Sequence, residues 1–331
     1  VTAGSAAAIG RHGTPAAIPR HGSAPVETVA RLVGSTPLVR LRRIGDGLPG
    51  IRLYAKCEFM NPGGSVKDRA ALRMIEAALR DGRFGPERTL VDSTSGNTGV
   101  AYAWICAALG LRCALVMPRN VSVARKRIAA AFGAELVFSD PLEGSDGAIR
   151  MARELVAAGP ERWFYPDQYA NPENPRAHEL GTAVEIAEAL DGKVAAFVAG
   201  IGTSGTVMGA SRGLRTLVPE VTCFAVEPAE PLHGLEGLKH MASSLVPPIW
   251  RPAELDGVLS VETAAGWAMA ERLGREEALR VGHSSGAAVE GALEIARRMA
   301  AAGRTGNVVT VLPDRADRYF EPRRWDRRIA W

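Results

Sequence analysis

Asn61-Pro62-Gly63-Gly64-Ser65-Val66-Lys67-Asp68-Arg69 lies between two segments of different period. Ahead of it, Ile51 to Glu58 alternates apolar and polar residues as a strand does; behind it, Ala70 to Leu79 reads as a helix. Turn residues followed by Ser65, suited to an N-cap, deliver Lys67 into the first turn of that helix, just past the end of a strand. Ligands of α/β sheets bind at that position. A lysine is ordinarily a solvated surface charge. This chain, however, has 35 Arg and five Lys (Lys56, Lys67, Lys126, Lys193, Lys239), so it draws on arginine where it needs only positive charge. Lysine loses its proton at workable pH and forms Schiff bases, and arginine does neither. Lys67 is therefore a candidate for covalent chemistry.

With 331 residues, 47% of them hydrophobic, the chain has room for two α/β domains of ordinary size. The net charge of +4 is concentrated: residues 315–328 hold six Arg against three acidic residues. The remainder is nearly balanced and carries no aromatic-interleaved basic stripe, so nucleic-acid binding is not expected. Cys57, Cys106, Cys113 and Cys223 show no C-x-x-C spacing and read as buried small hydrophobes in a reducing compartment. The six histidines are scattered, and no metal site is expected. No apolar run approaches a membrane span and the N-terminus lacks a leader pattern, which leads to the expectation of a soluble, cytoplasmic protein without membrane partners.

Residues 1–25, rich in Ala, Gly, Pro and Ser with Arg-His-Gly at 11–13 and 20–22, read as a flexible arm. Gly34 to Val39 turns into a first extended segment. Strands at 89–93, 112–118 and 135–139 then alternate with helices at 97–109, 122–132 and 144–158, which is βαβ repetition. The Pro-rich, aromatic stretch 162–175 interrupts it. A second series follows: helix 175–190, strand 194–199, helix 205–217 and strand 221–227. After an irregular region, 228–259, come helices around 264–273 and 285–302 and a strand at 308–312. The expected fold is α/β, with two doubly wound, mostly parallel-sheet domains and a ligand in the cleft between them. Residues 61–170 form the first domain, 26–60 with 171–322 the second (26–60 being open to sharing between them), and 323–331 a basic tail.

Three more Gly- and hydroxyl-rich turns stand where strands pass into helices. Ser93-Thr94-Ser95-Gly96-Asn97-Thr98-Gly99 offers backbone N–H groups and hydroxyls to a carboxylate or phosphate at a helix N-terminus. Gly200-Ile201-Gly202-Thr203-Ser204-Gly205-Thr206 lets the backbone approach a phosphate closely. It lacks the Gly-Lys-Ser/Thr ending of a P-loop, which makes an ATP site a poor reading. Gly282-His283-Ser284-Ser285-Gly286 precedes the last long helix. Each of the three can also be read as a plain helix cap. Together, a Schiff-base lysine, a carboxylate cradle and a non-nucleotide phosphate cup describe pyridoxal phosphate acting on an amino acid.

Over roughly Val26 to Tyr319 the chain resembles the cysteine synthase family, the O-acetylserine and O-phosphoserine sulfhydrylases with their cystathionine β-synthase relatives, which share the tryptophan-synthase-β-like fold (fold type II). The resemblance is carried by Asn-Pro-Gly-Gly-Ser-Val-Lys-Asp-Arg, Thr-Ser-Gly-Asn-Thr-Gly and Gly-x-Gly-Thr-x-Gly-Thr in that order. It implies that Lys67 holds pyridoxal 5'-phosphate covalently. Thr94, Ser95, Asn97 and Thr98 would bind the substrate carboxylate, Asn97 also the cofactor's 3′-oxygen. Gly202, Thr203, Ser204, Gly205 and Thr206 would hold its phosphate, and Ser284 would face the pyridine nitrogen. The implied reaction is β-replacement of an activated serine by a sulfur nucleophile in a homodimeric enzyme. Cystathionine or 2,3-diaminopropionate synthesis on the same scaffold, or a non-catalytic partner-binding role, are the alternatives. The resemblance also aligns Lys239 with an arginine that contacts substrate phosphate in the O-phosphoserine enzymes; a solvated loop charge is the competing reading. The chain departs from the family at Asp314-Arg315-Ala316-Asp317, where Ser-Gly is usual after the aspartate, and so leaves that edge of the site open.

Overall fold

Short apolar runs separated by amphipathic helices assemble into two sheets in a computed structural model that describes residues 26–319 apart from Ser95 and Ser122. The arm at 1–25, the tail at 323–331 and Ser95 therefore lie outside the described residues. In chain order, β1 (Leu38–Arg40) pairs antiparallel with β2 (Ile51–Cys57), and α1 (Lys67–Arg80) follows the glycine-rich turn. Next come β3 (Thr89–Ser93), α2 (Asn97–Ala108), β4 (Arg112–Pro118), α3 (Val123–Ala131), β5 (Glu135–Ser139), α4 (Gly144–Ala158) and β6 (Trp163–Phe164). These strands make a four-stranded, all-parallel sheet in the order β5-β4-β3-β6. The chain continues through α5 (Glu173–Ala177), α6 (Ala183–Ala189), β7 (Ala196–Gly200), α7 (Gly205–Leu217), β8 (Thr222–Pro228), β9 (Gly257–Val261), α8 (Thr263–Glu276), α9 (His283–Ala301) and β10 (Gly306–Leu312). The second sheet runs β1-β2-β10-β7-β8-β9 and is parallel except for β1. No described helix is long and apolar enough to cross a membrane.

The fold follows from the residues. Leu90, Val91, Ala114, Leu115 and Val116 on β3 and β4 are buried, as parallel strands covered on both faces require. Each leucine, isoleucine or valine so buried contributes about 1.5–3 kcal/mol. Two elements depart from the expected layout. The stretch 162–175 contains β6, whose Trp163 and Phe164 pair with Thr89 and Leu90 and close the first sheet. The region 228–259 ends in β9, where alternating exposed and buried residues make an edge strand beside β8. A further difference is a π-helical turn, His178–Thr182, between α5 and α6 in what reads from sequence as one helix. Such widened turns recur at functional sites.

Behind the glycine-rich turn sits a buried charge network. Arg69 of α1 donates from Nε to Glu58 Oε2 (2.6 Å) and from its two terminal nitrogens to Glu58 Oε1 (2.8 Å) and Glu185 Oε1 (2.7 Å). Lys56 of β2 donates to Glu185 Oε2 (2.5 Å) and Thr36 Oγ1 (2.6 Å), and Asn61 Nδ2 donates to Glu58 Oε2 (2.9 Å). Two cations thus face two carboxylates, as a dry interior demands. The network joins β2 of the six-stranded sheet, α1 beside the four-stranded sheet, and α6.

Candidate active site

Lys67 is the first residue of α1, and its backbone N–H donates to Ser65 Oγ at 3.3 Å; the cap position itself falls on Val66, one residue later than the turn residues suggest, and carries no side-chain cap hydrogen bond. Asp68 locks the turn: Gly63 N donates to its Oδ2 (2.6 Å) and Trp104 Nε1 to its Oδ1 (3.1 Å). Burial pushes the Asp68 carboxyl up to about 7 against those two hydrogen bonds. The Lys67 side chain lines a cavity of about 280 Å³. Burial lowers its pKa and the charge of Asp314 opposes that shift, which favours an uncharged amine more than an exposed lysine would.

Three helix N-termini are directed at this cavity, and none carries an N-cap side-chain hydrogen bond. These are α2 behind Gly96, α7 behind Ser204 and α9 behind Gly282. The dipoles and the N–H groups at such helix starts suit anions, although Gly205 N at α7 donates to Thr203 Oγ1 at 3.4 Å. Thr94, Asn97 and Thr98 line the cavity at α2, with Thr98 Oγ1 donating to Gln168 Oε1 (2.9 Å). At α7, Ser204 adopts φ +71° and its buried Oγ has no partner within the described protein. Thr203 Oγ1 accepts from Asn174 Nδ2 (3.0 Å), and Thr206 Oγ1 lies 3.2 Å from His178 Nε2. A Cβ at Gly205 would fall 1.9 Å from Asn174 Oδ1, which explains the glycine. Gly202, Thr203, Ser204 and Thr206 also line the cavity, as does buried Ser284 in the first turn of α9. That helix starts two residues earlier than its apolar pattern suggests, which brings Ser284 inside it.

An orphaned hydroxyl, two more hydroxyls and an uncapped helix start suit a phosphate, and a half-buried lysine suits an aldehyde; these residues fit pyridoxal phosphate. The family profile described as pyridoxal-phosphate dependent enzyme matches residues 29–314. This chain belongs to that family. It is 47% identical over 296 residues, 89% of its length and 90% of the relative's, to a cysteine synthase of Aquifex aeolicus. The solved O-acetylserine sulfhydrylase isoform 3 of Entamoeba histolytica superimposes with a TM-score of 0.86 at 33% identity, covering 93% of each chain. An O-acetylserine-dependent cystathionine β-synthase from Helicobacter pylori reaches 0.81 at 33% identity, covering 90% of this chain and 98% of its own.

This pyridoxal phosphate enzyme adds site residues that sequence reasoning misses. Gln168 is buried, lines the cavity and comes from the irregular stretch 162–175, which has no periodic signal. His178 is buried, and desolvation followed by the charge of Arg69 lowers it to about 3, so it faces Thr206 as a neutral imidazole. Asp314 and Tyr319 line the edge left open by the departure from the family pattern. Lys239 is half-buried on the cavity wall with its ammonium 5.0 Å from the Tyr169 ring centroid. Burial lowers its pKa, and the charge of Asp146 opposes that shift.

Proposed function

We propose that this enzyme is a cysteine synthase that replaces the leaving group of O-acetylserine or O-phosphoserine with sulfide or another sulfur donor, giving L-cysteine. The observation that carries the reading is the convergence of Lys67 and three uncapped helix N-termini on one cavity. Pyridoxal phosphate, when bound, supplies an electron sink for the α-carbon of an amino acid. Lys67 holds it and, once displaced by substrate, removes the α-proton as general base. The turn Gly202, Thr203, Ser204, Gly205 and Thr206 binds its phosphate. Thr94, Ser95, Asn97 and Thr98 bind the substrate carboxylate, with Gln168 oriented by Thr98. Ser284 is assigned to the ring nitrogen, where a neutral hydroxyl would not keep that nitrogen protonated as an aspartate would, so the electron sink would be weaker. Residues 61–170 act as one domain and 26–60 with 171–322 as the other, meeting at the cavity. A homodimer and a cytoplasmic location belong to the same reading; buried free Cys57, Cys106, Cys113 and Cys223 support a reducing compartment, and the elution volume of purified protein tests the dimer.

Steady-state assays pairing each donor with sulfide, homocysteine and ammonia test the reaction. Cysteine formation with sulfide supports the proposal. Turnover with homocysteine or ammonia alone would move the enzyme to cystathionine or 2,3-diaminopropionate synthesis, and turnover with no pair would leave a partner-binding protein.

Lys239 bears on the donor. A cation on the cavity wall helps a dianionic leaving group depart, and a charge-assisted contact is worth about 1.5–3 kcal/mol. Lys239→Ala is expected to lower kcat/KM for O-phosphoserine about tenfold or more and to leave O-acetylserine nearly unaffected. Equal losses for both donors, or no wild-type turnover of O-phosphoserine, would take Lys239 out of this role. Thr98→Ala probes the other end of the substrate. Its hydroxyl donates to Gln168 Oε1, so the variant is expected to raise KM for the amino-acid donor about tenfold with the resting cofactor spectrum unchanged. Loss of cofactor with an unaltered KM would contradict the assignment.

A further inference from the structure

The C-terminal edge of the cavity is built around the carboxamide of Asn97. Asn97 Nδ2 donates to Asp314 Oδ2 at 2.6 Å, and Asn97 Oδ1 accepts from one terminal nitrogen of Arg318 at 2.7 Å. The other terminal nitrogen of Arg318 donates to the Gly63 carbonyl, and the Tyr319 hydroxyl donates to Asp314 Oδ2. Arg318 therefore joins the turn that presents Lys67 to the helix start that presents Asn97. Room is made for the cluster by glycine: a Cβ on Gly64 would lie 2.6 Å from the Arg318 guanidinium, and one on Gly282 would lie 2.2 Å from Asp314 Oδ1.

An asparagine carboxamide has two faces of opposite character, and only its partners decide which end points where. Arg318 has donors alone, so it accepts no contact from the amide NH2. Asp314 Oδ2 receives two hydrogen bonds and stays an acceptor even when the carboxyl carries a proton on the buried, unpartnered Oδ1. Reversing the amide would set NH2 against the guanidinium and oxygen against the carboxylate.

We propose that Asp314 and Arg318 are positioning residues that hold the Asn97 carboxamide in one orientation, so that the second hydrogen of its Nδ2 is offered to whatever Lys67 holds. Tyr319 steadies Asp314, whose charge also acts on Lys67. The spectral consequence rests on membership of the pyridoxal phosphate family. Only the turnover consequence rests on the cysteine synthase reading.

The test uses the full chain loaded with pyridoxal phosphate. Asp314→Asn replaces an acceptor by an amide that can turn either end toward Asn97 and so leaves the orientation to Arg318 alone, and Arg318→Ala removes the donor on Oδ1. Both are expected to retain one cofactor per chain, measured after denaturation, while the absorbance maximum of the bound cofactor shifts and kcat falls about tenfold to a hundredfold with KM changed less. Arg318→Lys is expected to restore part of both, because one donor to Asn97 is recovered. Tyr319→Phe, which removes a single hydrogen bond, is expected to move the spectrum in the same direction by less, and it answers the question if the stronger variants do not fold. A wild-type spectrum and kcat in any folded Asp314 or Arg318 variant overturns the proposal. So does loss of cofactor in which the remaining bound fraction keeps the wild-type maximum, since that is the signature of a structural role alone. Absence of cysteine formation by the wild type would instead refute the cysteine synthase reading and leave the spectral arms standing.

Discussion

Lys67→Ala is expected to abolish turnover, by at least about a thousandfold, and to leave any bound cofactor dissociable by dialysis. The loss is that large because one amine performs two tasks: it holds the cofactor and it removes the α-proton. Nothing nearby replaces it. Lys239 is the other lysine on the cavity wall, and its ammonium is stacked over Tyr169; Lys56 is buried with Glu185. Burial lowers the Lys67 pKa against the charge of Asp314, so the ammonium gives up its proton more readily than an exposed lysine does. Borohydride reduction followed by peptide mass spectrometry should find the cofactor on the Lys67 peptide of the wild type and not in the variant. Turnover within tenfold of wild type would remove Lys67 from its place.

Glu58→Gln is expected to destabilise the fold by about 3–5 kcal/mol, the usual cost of leaving a buried cation without its partner. Glu58 accepts from Arg69 twice, from Thr36 Oγ1 (2.6 Å) and from Asn61 Nδ2 (2.9 Å). A neutral amide offers one acceptor oxygen and turns an NH2 toward donors. Lys56 and Arg69 would then share Glu185 alone. The pH dependence follows from the direction of the shift: Arg69 and Lys56 outweigh burial and hold Glu58 at about 2, below its ordinary 4.5. Its stabilisation is fully present above pH 4.5 and is lost as pH falls toward 2. Glu185, also lowered, acts in the same sense. Urea unfolding should show a large gap between wild type and variant at neutral pH that narrows through that acid window. A gap under about 1 kcal/mol at pH 7 would contradict the account.

Much of the architecture is legible before any coordinates. The strands at 89–93, 112–118 and 135–139 and the helices at 144–158 and 205–217 have the limits their periodicity suggests, because apolar spacing and turn residues act locally. What escapes is short or irregular. Trp163 and Phe164 are two residues, too few to show a period, and become a strand only because Thr89 and Leu90 lie beside them. The π turn at His178 is invisible because a helix widened by one residue keeps nearly the same pattern. Gln168 reaches the cavity from a segment without a motif, and a lone polar residue does not announce its burial.

From sequence alone came the lysine at the start of α1, the glycine and hydroxyl turns at α2, α7 and α9, and with them the cofactor, since these depend on residues adjacent in the chain. The tertiary structure decided which charges meet. Placing β10 between β2 and β7 carries Asp314 to the wall of the cavity, where it binds Asn97 across 217 residues of chain. The placement of α6 likewise brings Glu185 to Lys56 of β2 across 129 residues. A carboxylate or guanidinium looks the same in sequence whether it ends in water or in a buried network, and the order of strands in the sheet determines which.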